Sequence, residues 1–477
     1  MTGATGFIGR ALVPALLRDG HTVVAWVRSA SRARARLGAE VEVAEATGGP
    51  TALTAILSRS DAVINLAGEP ILGRRWTAAR RQVLHESRVG ETKALVRALH
   101  AANPRPSLLV SGSAVGYYGD RGEERLTEQS EPGNDFLAQL CRDWEQAAVE
   151  AEPLGVRVVR LRTGVVLGRD GGALAQMLPP FRMGAGGPIG SGRQYVPWIH
   201  LHDLVGIISA AIADSRYRGP VNGVAPEPAT SRDFARALGA ALHRPAVLPV
   251  PGVALRLLFG DAAVVLLGGQ RAEPTVATAL GFRYAFPTLA GALADIVGGT
   301  DVRISPLSAL PDTTGDDPGR GYLARHKPSY LLRTTTIVNA PLDQVFPFFS
   351  RAENLGLITP AGMGFAIRGA APTIAEDTTI DYTVRIGFSA LAWRSRIVRW
   401  QPGRAFVDQQ ERGPYASWWH EHVFRAEGNR TVMDDRVYYA PPLGLLGRLA
   451  NRVFIAPTLR RVFQYRGDVI RLRFGTS

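Results

Sequence analysis

The first 300 residues alternate short apolar, β-branched runs with longer stretches of helical spacing. Strand-like runs at 22–27, 62–66, 107–111 and 156–161 are separated by amphipathic segments in which apolar residues recur at helical spacing. This alternation is typical of βαβ units, in which crossover helices connect parallel strands. We therefore predict an α/β fold built on a doubly wound parallel sheet for this part of the chain.

The character of the sequence changes after residue 298. Residues 299–325 are rich in Gly, Pro, Asp and Thr without sustained periodicity, and they are interpreted as an interdomain linker. Residues 326–477 then combine one short helix, at 342–349, with a long terminal helical segment that Pro457 is expected to kink or break. Strand-like runs lie at 331–338, 378–386, 393–400, 406–410, 417–424 and 431–439. The pattern predicts a separate α+β domain.

Composition excludes several classes of protein. Basic residues outnumber acidic ones 55 to 42. The arginines are scattered and form no basic tract with interleaved aromatic residues, so the sequence does not favour nucleic-acid binding. Cys141 is the only cysteine, which excludes an intrachain disulfide and a cysteine zinc cluster. No apolar run reaches the ~18 residues of a membrane span. With no signal-peptide pattern at the start, a cytoplasmic protein is expected.

A glycine-rich turn opens the chain. Gly3, Gly6 and Gly9 have the spacing G-x-x-G-x-x-G and lead into an amphipathic helix. Such glycines permit a tight turn and close approach of the backbone to a pyrophosphate at the helix N-terminus. The residues predicted to form this nucleotide site are Gly3, Thr5, Gly6, Phe7, Ile8 and Gly9, together with Leu66, Ala67 and Gly68 after a later strand. The alternative is an ordinary glycine-rich turn.

Arg28 stands where an NAD-specific fold of this kind would offer an acidic residue to the ribose 2′-hydroxyl. A guanidinium at that position suits a 2′-phosphate through charge-assisted hydrogen bonds. The sequence therefore favours NADP(H) over NAD(H). The alternative is the solvated start of a basic helix, since Arg32 and Arg34 follow.

The glycine turn normally follows a strand that is central in the sheet. Here only Met1 and Thr2 precede Gly3. We expect that the start was assigned too far downstream, the alternative being a domain that lacks this strand. Four to six additional apolar residues are then expected to stabilise the protein.

Several separated motifs of residues 1–298 resemble the extended short-chain dehydrogenase/reductase superfamily, and its atypical subgroup of NAD(P)-dependent or nucleoside-diphosphate-sugar epimerase family proteins. They are "TGATGFIGRAL", "VINLAGEPI", "SRVGETKALV", "SGSAVGYYGD", "DFLAQLCRDWEQAA", "LRTGVVLGRDGGAL" and "GSGRQYVPWIHLHDL". The resemblance implies a Rossmann-like domain with a small substrate lobe over 1–245 and the subgroup's C-terminal extension over 246–298. It also implies that Ser111, Arg162 and Gly164 lie at the cofactor.

The sequence departs from the superfamily at the catalytic residues. Ser113 matches the serine, but Leu137 and Cys141 stand where the tyrosine and lysine of the Y-x-x-x-K pair belong. Neither can exchange a proton as that pair does. Tyr118 is the candidate replacement donor, beside Tyr117 as a candidate substrate contact; alternatively, both tyrosines wall the pocket.

Trp198 and His200 mark the predicted entrance of the substrate lobe. The alternative for His200 is a structural histidine with satisfied hydrogen bonds.

Residues 326–477 resemble the SRPBCC superfamily, the START-like and polyketide-cyclase-like helix-grip fold. The resemblance rests on "LLRTTTIVNAPLDQVFPFFSRAENLGLITP", "GPYASWWHEHVF" and "DDRVYYAPPLG". It implies a cavity for an apolar or lipid-like ligand.

Strand alternation places Trp418, His420 and His422 on one face of 417–424. With Trp393, these residues are the candidate ligand contacts. The two histidines lack a convincing third ligand, so no metal site is predicted; they line a polar end of the cavity or belong to a mixed sheet face.

Two functions remain open at this point. The first is an NADP-dependent oxidoreductase or epimerase-like enzyme of atypical mechanism, acting on a small-molecule carbonyl or hydroxyl substrate held by the C-terminal domain. The second is a non-catalytic sensor or carrier that binds NADP(H) and a lipid or isoprenoid. The sequence specifies neither the substrate nor the oligomeric state.

Overall fold

The computed structural model describes residues 1–169, 171–298, 301–307, 318–386 and 389–475. The chain forms two compact units. One comprises Met1–Ala33 and Val41–Gly298, and the other comprises Arg34–Glu40 and Gly299–Ser477.

The first unit is organised around parallel strands. The strands up to residue 298 are β1 Val24–Val27, β2 Glu42–Glu45, β3 Ala62–Asn65, β4 Leu108–Ala114, β5 Arg125–Leu126, β6 Arg157–Thr163, β7 Val165–Leu167, β8 Tyr195–Val196, β9 Trp198–His200, β10 Gly219–Gly223, β11 Ala229–Thr230 and β12 Arg271–Ala272. β10, β6, β4 and β3 form a parallel sheet in that order, and β1 pairs with β2 in parallel. The predicted α/β parallel architecture is confirmed.

Met1 and Thr2 lie between β1 and β3. The Thr2 amide donates to the Ile64 carbonyl at 2.9 Å, and the Trp26 amide donates to the Met1 carbonyl at 2.8 Å. The ammonium of Met1 donates to the Val24 carbonyl at 2.8 Å. These two residues therefore connect the two groups of strands at the place where the fold has a central strand.

Helices flank these strands. Those up to residue 298 are α1 Phe7–Arg18, α2 Ala30–Leu37, α3 Gly49–Leu57, α4 Ala78–His85, α5 Glu91–Ala101, α6 Phe136–Val149, α7 Gly172–Arg182, α8 Leu201–Ala213, α9 Ser231–Leu242, α10 Gly252–Phe259, α11 Val264–Leu267, α12 Thr275–Ala279 and α13 Leu289–Gly298. α1 buries Leu12, Val13 and Leu16 along one stripe, as its sequence spacing predicts. α6 begins at Asp135, whose side chain accepts from the Ala138 amide at 2.8 Å and caps the helix.

The second unit is built on one antiparallel sheet. Its strands are β13 Val302–Pro306, β14 Tyr330–Val338, β15 Ala366–Ile367, β16 Thr379–Ile386, β17 Ser389–Gln401, β18 Ala405–Arg412, β19 Ser417–Glu427 and β20 Arg430–Ala440. They lie in the order β13-β14-β20-β19-β18-β17-β16-β15. Its helices are α14 Pro318–His326, α15 Leu342–Phe349, α16 Gly444–Ala450 and α17 Ala456–Phe474. Side chains of α15, including Phe346, and of α17, including Ile470, share a core with the sheet residues Phe406 and Phe424.

The interpretation of 299–325 as a linker is wrong for the parts that the structure describes. β13 pairs with β14 at the sheet edge, and α14 buries Tyr322 and Leu323 against Trp419. These elements are only five and nine residues long, too short to show a periodicity in the sequence. Residues 308–317 of the predicted linker lie outside the described residues.

The terminal segment continues past Pro457. A π-helical turn, Asn451–Ile455, joins α16 to α17, and Pro457 occupies the first turn of α17. Proline is tolerated there because the first-turn N–H groups have no partner within the helix. Pro457 thus begins a helix here. In the part of the chain that the structure describes, no helix combines the length and the apolarity needed to cross a bilayer.

Candidate functional site

A cavity of about 440 Å³ lies at the carboxyl ends of β3, β4 and β6 in the first unit. This is the edge at which open α/β sheets bind ligands. Of the residues predicted for the cofactor, Ile8, Leu66 and Gly164 line it, and so does Ser113. Ile8, in the helix that follows the glycine turn, and the candidate catalytic serine therefore face one space.

The glycine turn has the geometry that its sequence predicts. Gly3 has φ +67°, and a Cβ there would lie 2.6 Å from the Leu66 carbonyl carbon. A Cβ on Gly9 would lie 2.3 Å from the Gly3 carbonyl oxygen, so α1 packs directly on the turn.

Gly6 precedes α1 and provides no side-chain cap, and the first turn of the helix carries no acidic residue. An uncapped helix N-terminus of this kind fits a phosphate group. Thr5 and Phe7 belong to the same segment, and the Phe7 ring lies close to Gly171 and Gly172.

Arg28 follows β1, and its side chain is 91% exposed. Its Nη1 atom lies 4.0 Å from Glu69 Oε1, at the outer limit of an ion pair. The guanidinium is therefore available to an anion from solvent. Ala67 and Gly68 follow β3 beside Leu66, and a Cβ on Gly68 would lie 3.2 Å from the Arg88 guanidinium carbon.

Glu145 organises the buried side of the cavity. Its carboxylate accepts from the Ser113 hydroxyl at 2.7 Å and from Arg162 Nε and Nη2 at 2.8 and 2.9 Å. Arg162 is 2% exposed and is not among the cavity-lining residues. The contact of Arg162 with the cofactor stays a prediction; in this structure the arginine donates to Glu145, which in turn orients Ser113. Ser111 is also buried in β4, away from the lining.

The two tyrosines after Ser113 are not at the cavity. Tyr118 is fully buried; its hydroxyl donates to Asn222 Oδ1 at 2.7 Å and accepts from Arg162 Nη1 at 3.0 Å. Burial raises the pKa of Tyr118 to about 12. Tyr117 packs its ring 3.5 Å from the Arg162 guanidinium carbon. The prediction of Tyr118 as proton donor and Tyr117 as substrate contact is not supported, because both rings pack around a buried arginine.

Leu137 and Cys141, which replace the Tyr and Lys of related enzymes, both line the cavity. Burial is the largest cause that raises the pKa of Cys141, to about 12, so its thiol stays neutral. Neither side chain offers a positive charge or an exchangeable proton near pH 7.

Sequence reasoning missed Arg88 as a cavity residue. It donates to the Glu69 carbonyl at 2.8 Å and lies 5.3 Å from the Trp144 ring, and both Arg88 and Trp144 line the cavity. Burial lowers the pKa of Arg88 from its ordinary value. The segment "SRVGETKALV" contained this arginine, but only the fold brings it to the cavity.

Trp198 and His200, predicted at the entrance of the substrate lobe, are both buried in the structure. Trp198 is 1% exposed and donates from Nε1 to the Glu227 carbonyl at 3.0 Å. His200 caps α8 by accepting the His202 amide at 3.1 Å, and its ring packs 3.9 Å from that of Phe286. The structure favours the alternative of a structural histidine, because Nδ1 accepts the His202 amide and Nε2 lies 3.3 Å from Asp295 Oδ2.

The second unit encloses a cavity of about 180 Å³ between the sheet and α17. All four predicted ligand contacts, Trp393, Trp418, His420 and His422, line it. Further aromatic lining comes from Phe348, Phe349, Phe365, Tyr382, Phe406, Tyr415 and Phe463. Trp419, on the opposite face of β19, packs against Tyr322, as strand alternation predicts.

A buried polar cluster closes one end of this second cavity. Asp408 Oδ2 lies 3.2 Å from His420 Nδ1 and 3.1 Å from His422 Nε2. Asp435 Oδ1 lies 3.2 Å from His420 Nε2 and 2.8 Å from His422 Nδ1. Burial alone would raise the pKa of Asp408, but the neighbouring histidines hold it well below its ordinary value. Asp408 is a third potential ligand beside the two histidines, which the sequence pattern did not reveal. The register of β18 with β19 places it beside His420.

Comparison with known families identifies the first unit. Residues 1–222 match the NAD dependent epimerase/dehydratase family. Residues 250–296 match a domain of unknown function, DUF1731.

Curated relatives agree. The chain is 42% identical over 303 residues to the Arabidopsis thaliana protein called "Epimerase family protein SDR39U1 homolog, chloroplastic", covering 62% of this chain and 86% of that one. It is 42% identical over 299 residues to the Homo sapiens "Epimerase family protein SDR39U1", covering 62% of this chain and 98% of that one.

Solved structures show the same fold. One is the crystal structure of human epimerase family protein SDR39U1 (isoform2) with NADPH, which is 38% identical in sequence to this chain and superposes with a TM-score of 0.56. The match covers 62% of this chain and 98% of the human one. A UDP-glucuronic acid 4-epimerase from Bacillus cereus, solved with UDP-glucuronic acid and NAD, is 18% identical with a TM-score of 0.51 over 62% of this chain and 96% of its own. That likeness shows the fold alone. This chain matches relatives that are 42% identical over 86% and 98% of their length, and both are called epimerase family proteins. The chain therefore belongs, through its first unit, to the NAD dependent epimerase/dehydratase family.

Proposed function

We propose that the first unit is an NADP(H)-dependent oxidoreductase or epimerase-like enzyme of atypical mechanism, acting on a small carbonyl or hydroxyl substrate. The observation that carries this proposal is the single cavity that joins the glycine turn, through Ile8 and Leu66, to Ser113. A cofactor bound on the turn and a substrate held at Ser113 would share this space.

The residues present fit NADP(H). The uncapped start of α1 and the left-handed Gly3 leave room for the pyrophosphate, and exposed Arg28 offers a cation to the 2′-phosphate. The human SDR39U1 protein was crystallised with NADPH, which supports the same cofactor here. When bound, the nicotinamide supplies or accepts a hydride.

The residues around Ser113 orient the substrate. The Ser113 proton is held by Glu145, so its Oγ lone pairs are available to a substrate hydroxyl. For a carbonyl substrate, the same proton turns from Glu145 toward the carbonyl oxygen. Because Leu137 and the neutral Cys141 replace the usual proton-transfer pair, the remaining proton comes from a water molecule in the cavity.

Ser113 and Tyr118 provide a matched test. We expect Ser113→Ala to lower kcat/KM by about 100-fold, the order found when one hydrogen-bond donor to a reacting oxygen is removed. Tyr118→Phe should leave kcat/KM unchanged while lowering the free energy of unfolding by about 1–2 kcal/mol, since Asn222 and Arg162 lose a buried hydrogen-bond partner. NADPH oxidation in the presence of a panel of carbonyl compounds measures the first quantity, and urea unfolding measures the second.

A binding protein without turnover is the second candidate. It is favoured by the lack of an acidic proton donor at the positions of Leu137 and Cys141. Tight NADPH binding, with no carbonyl-dependent oxidation in either wild type or Tyr118→Phe, would support this candidate over the enzyme.

Arg28→Ala should separate NADPH from NADH. We expect the substitution to weaken NADPH binding by about 1.5–3 kcal/mol, the value of hydrogen bonds to a charged group, and to leave NADH binding almost unchanged. Arg97→Ala, at an exposed arginine of α5 outside the cavity lining, is the control. Titration of the intrinsic fluorescence with each cofactor gives both affinities. Equal losses for NADPH and NADH would contradict the role of Arg28.

For the second unit we propose a ligand-binding module of the helix-grip kind. The support is the aromatic cavity between α17 and the antiparallel sheet, with Trp393 and Trp418 among its lining residues. Such a lining suits an apolar or lipid-like molecule. The same molecule would then be a substrate delivered to, or a signal combined with, the NADP(H)-binding unit.

A further inference from the structure

The polar end of the second cavity is built from three adjacent strands. Asp408 lies on β18, His420 and His422 lie on β19, and Asp435 lies on β20. In the sheet register Asp408 is paired with His420, and His422 is paired with Asp435. The four side chains are therefore held on one face of a paired sheet, with His420 and His422 both less than a tenth exposed.

The inner three atoms are spaced as metal ligands are. At metal–ligand bonds of about 2.1 Å and angles between 90° and the tetrahedral value, two ligand atoms are about 3.0–3.4 Å apart. Asp408 Oδ2 lies 3.2 Å from His420 Nδ1 and 3.1 Å from His422 Nε2. All three ligand atoms lie within 4.8 Å of one another.

The outer carboxylate supplies a second, independent observation. Asp435 Oδ1 lies 3.2 Å from His420 Nε2 and 2.8 Å from His422 Nδ1, the nitrogens that face away from Asp408. Metal-bound histidines characteristically donate their other N–H to a carboxylate, which fixes the ring and the tautomer. Here one buried carboxylate serves both rings, and its Oδ2 has no hydrogen-bond partner.

Charge favours a cation at this place. With neutral imidazoles, Asp408 and Asp435 contribute two negative charges and Arg466, 3.3 Å from Asp435 Oδ1, contributes one positive charge. Arg466 Nη2 also lies 3.0 Å from His422 Nδ1, and its positive charge offsets the negative charge of the outer carboxylate. With the imidazoles neutral, these groups carry one net negative charge, and Asp408, His420, His422 and Arg466 all line the cavity.

We propose that Asp408, His420 and His422 bind a divalent transition-metal ion of the Zn²⁺ or Fe²⁺ class, with Asp435 as the carboxylate behind both histidines. Two imidazoles and one carboxylate are a ligand set suited to these ions. The coordination positions left open face the aromatic cavity, so an oxygen atom of a cavity ligand can reach the ion. The second unit would then hold an oxygen-bearing apolar molecule by its polar end.

Metal titration of the full chain tests the proposal. After removal of metal with a chelator, calorimetric titration with ZnCl₂ should show one site per chain with a dissociation constant of about 1 µM or tighter. Titration with Co²⁺ should give visible absorption bands of a nitrogen- and oxygen-ligated ion. Asp408→Asn, His420→Gln and His422→Gln should each weaken Zn²⁺ binding by more than 100-fold, beyond the ~10–100-fold expected for Asp435→Asn as an outer residue.

His100→Gln is the matched control, because His100 is exposed on α5 and belongs to the other unit. It should leave the titration unchanged. Circular dichroism and thermal unfolding establish which variants are folded. Zn²⁺ binding that persists in a folded Asp408→Asn or His422→Gln variant would overturn the proposal. If these variants do not fold, the wild-type chain decides it: no site tighter than about 100 µM and no Co²⁺ bands would overturn it, and stoichiometric binding with such bands would support it.

Discussion

Replacement of Glu145 by leucine is expected to lower the free energy of unfolding of the first unit by about 3–5 kcal/mol, the largest loss we anticipate for a single substitution. Glu145 is 4% exposed and accepts three hydrogen bonds, from Ser113 and from two nitrogens of Arg162. Without it, the guanidinium of Arg162 remains buried and loses its counter-charge. The cost comes mainly from that uncompensated charge.

A double substitution separates this explanation from simple loss of packing. Glu145→Leu with Arg162→Met removes both charges, so it should cost clearly less than the sum of the two single substitutions. Arg216→Met, which breaks the exposed pair of Arg216 with Asp214, should cost less than about 1 kcal/mol. Urea unfolding followed by tryptophan fluorescence measures all four variants. Strict additivity of the two single losses would show that the pair is not coupled.

Residues added before Met1, which lies between β1 and β3, are expected to stabilise the first unit. Four to six apolar, β-branched residues added before Met1 replace the ammonium by a peptide bond and continue the strand between β1 and β3. With several new ladder hydrogen bonds at about 1 kcal/mol each, we expect a gain of more than ~3 kcal/mol in the free energy of unfolding. A Gly/Ser extension of equal length is the control, since it removes the charge but provides little strand propensity. Equal melting temperatures for the apolar and Gly/Ser extensions would contradict a strand at this position.

Much of the fold was predictable because its signals are local. The period-two patterns of 417–424 and 431–439 correspond to β19 and β20, and the helix predicted at 342–349 is α15. The glycine spacing at Gly3, Gly6 and Gly9 likewise specifies a turn that only residues without a side chain can make. β13 and α14 escaped prediction because a short edge strand and a single short helix are stabilised by their neighbours more than by their own pattern.

The candidate site residues were likewise predictable where the signal is local, and unpredictable where it depends on tertiary contacts. Alternation along one strand was enough to place Trp418, His420 and His422 on one face, and the glycine motif was enough to locate the nucleotide turn. The role of Tyr118 required tertiary structure, because the groups that bury and bind its hydroxyl, Asn222 and Arg162, come from distant strands.

The sequence by itself determined the parallel sheet, the glycine turn and the shared face of the two histidines, since each follows from backbone geometry over a few residues. Only the tertiary structure decided which charged groups meet. Arg162 pairs with Glu145, and Asp408 joins the histidines, because strand register and helix packing bring together residues that have no pattern in common along the chain. A buried charge without a partner costs free energy, and its partner can come from any part of the chain that the fold brings close to it.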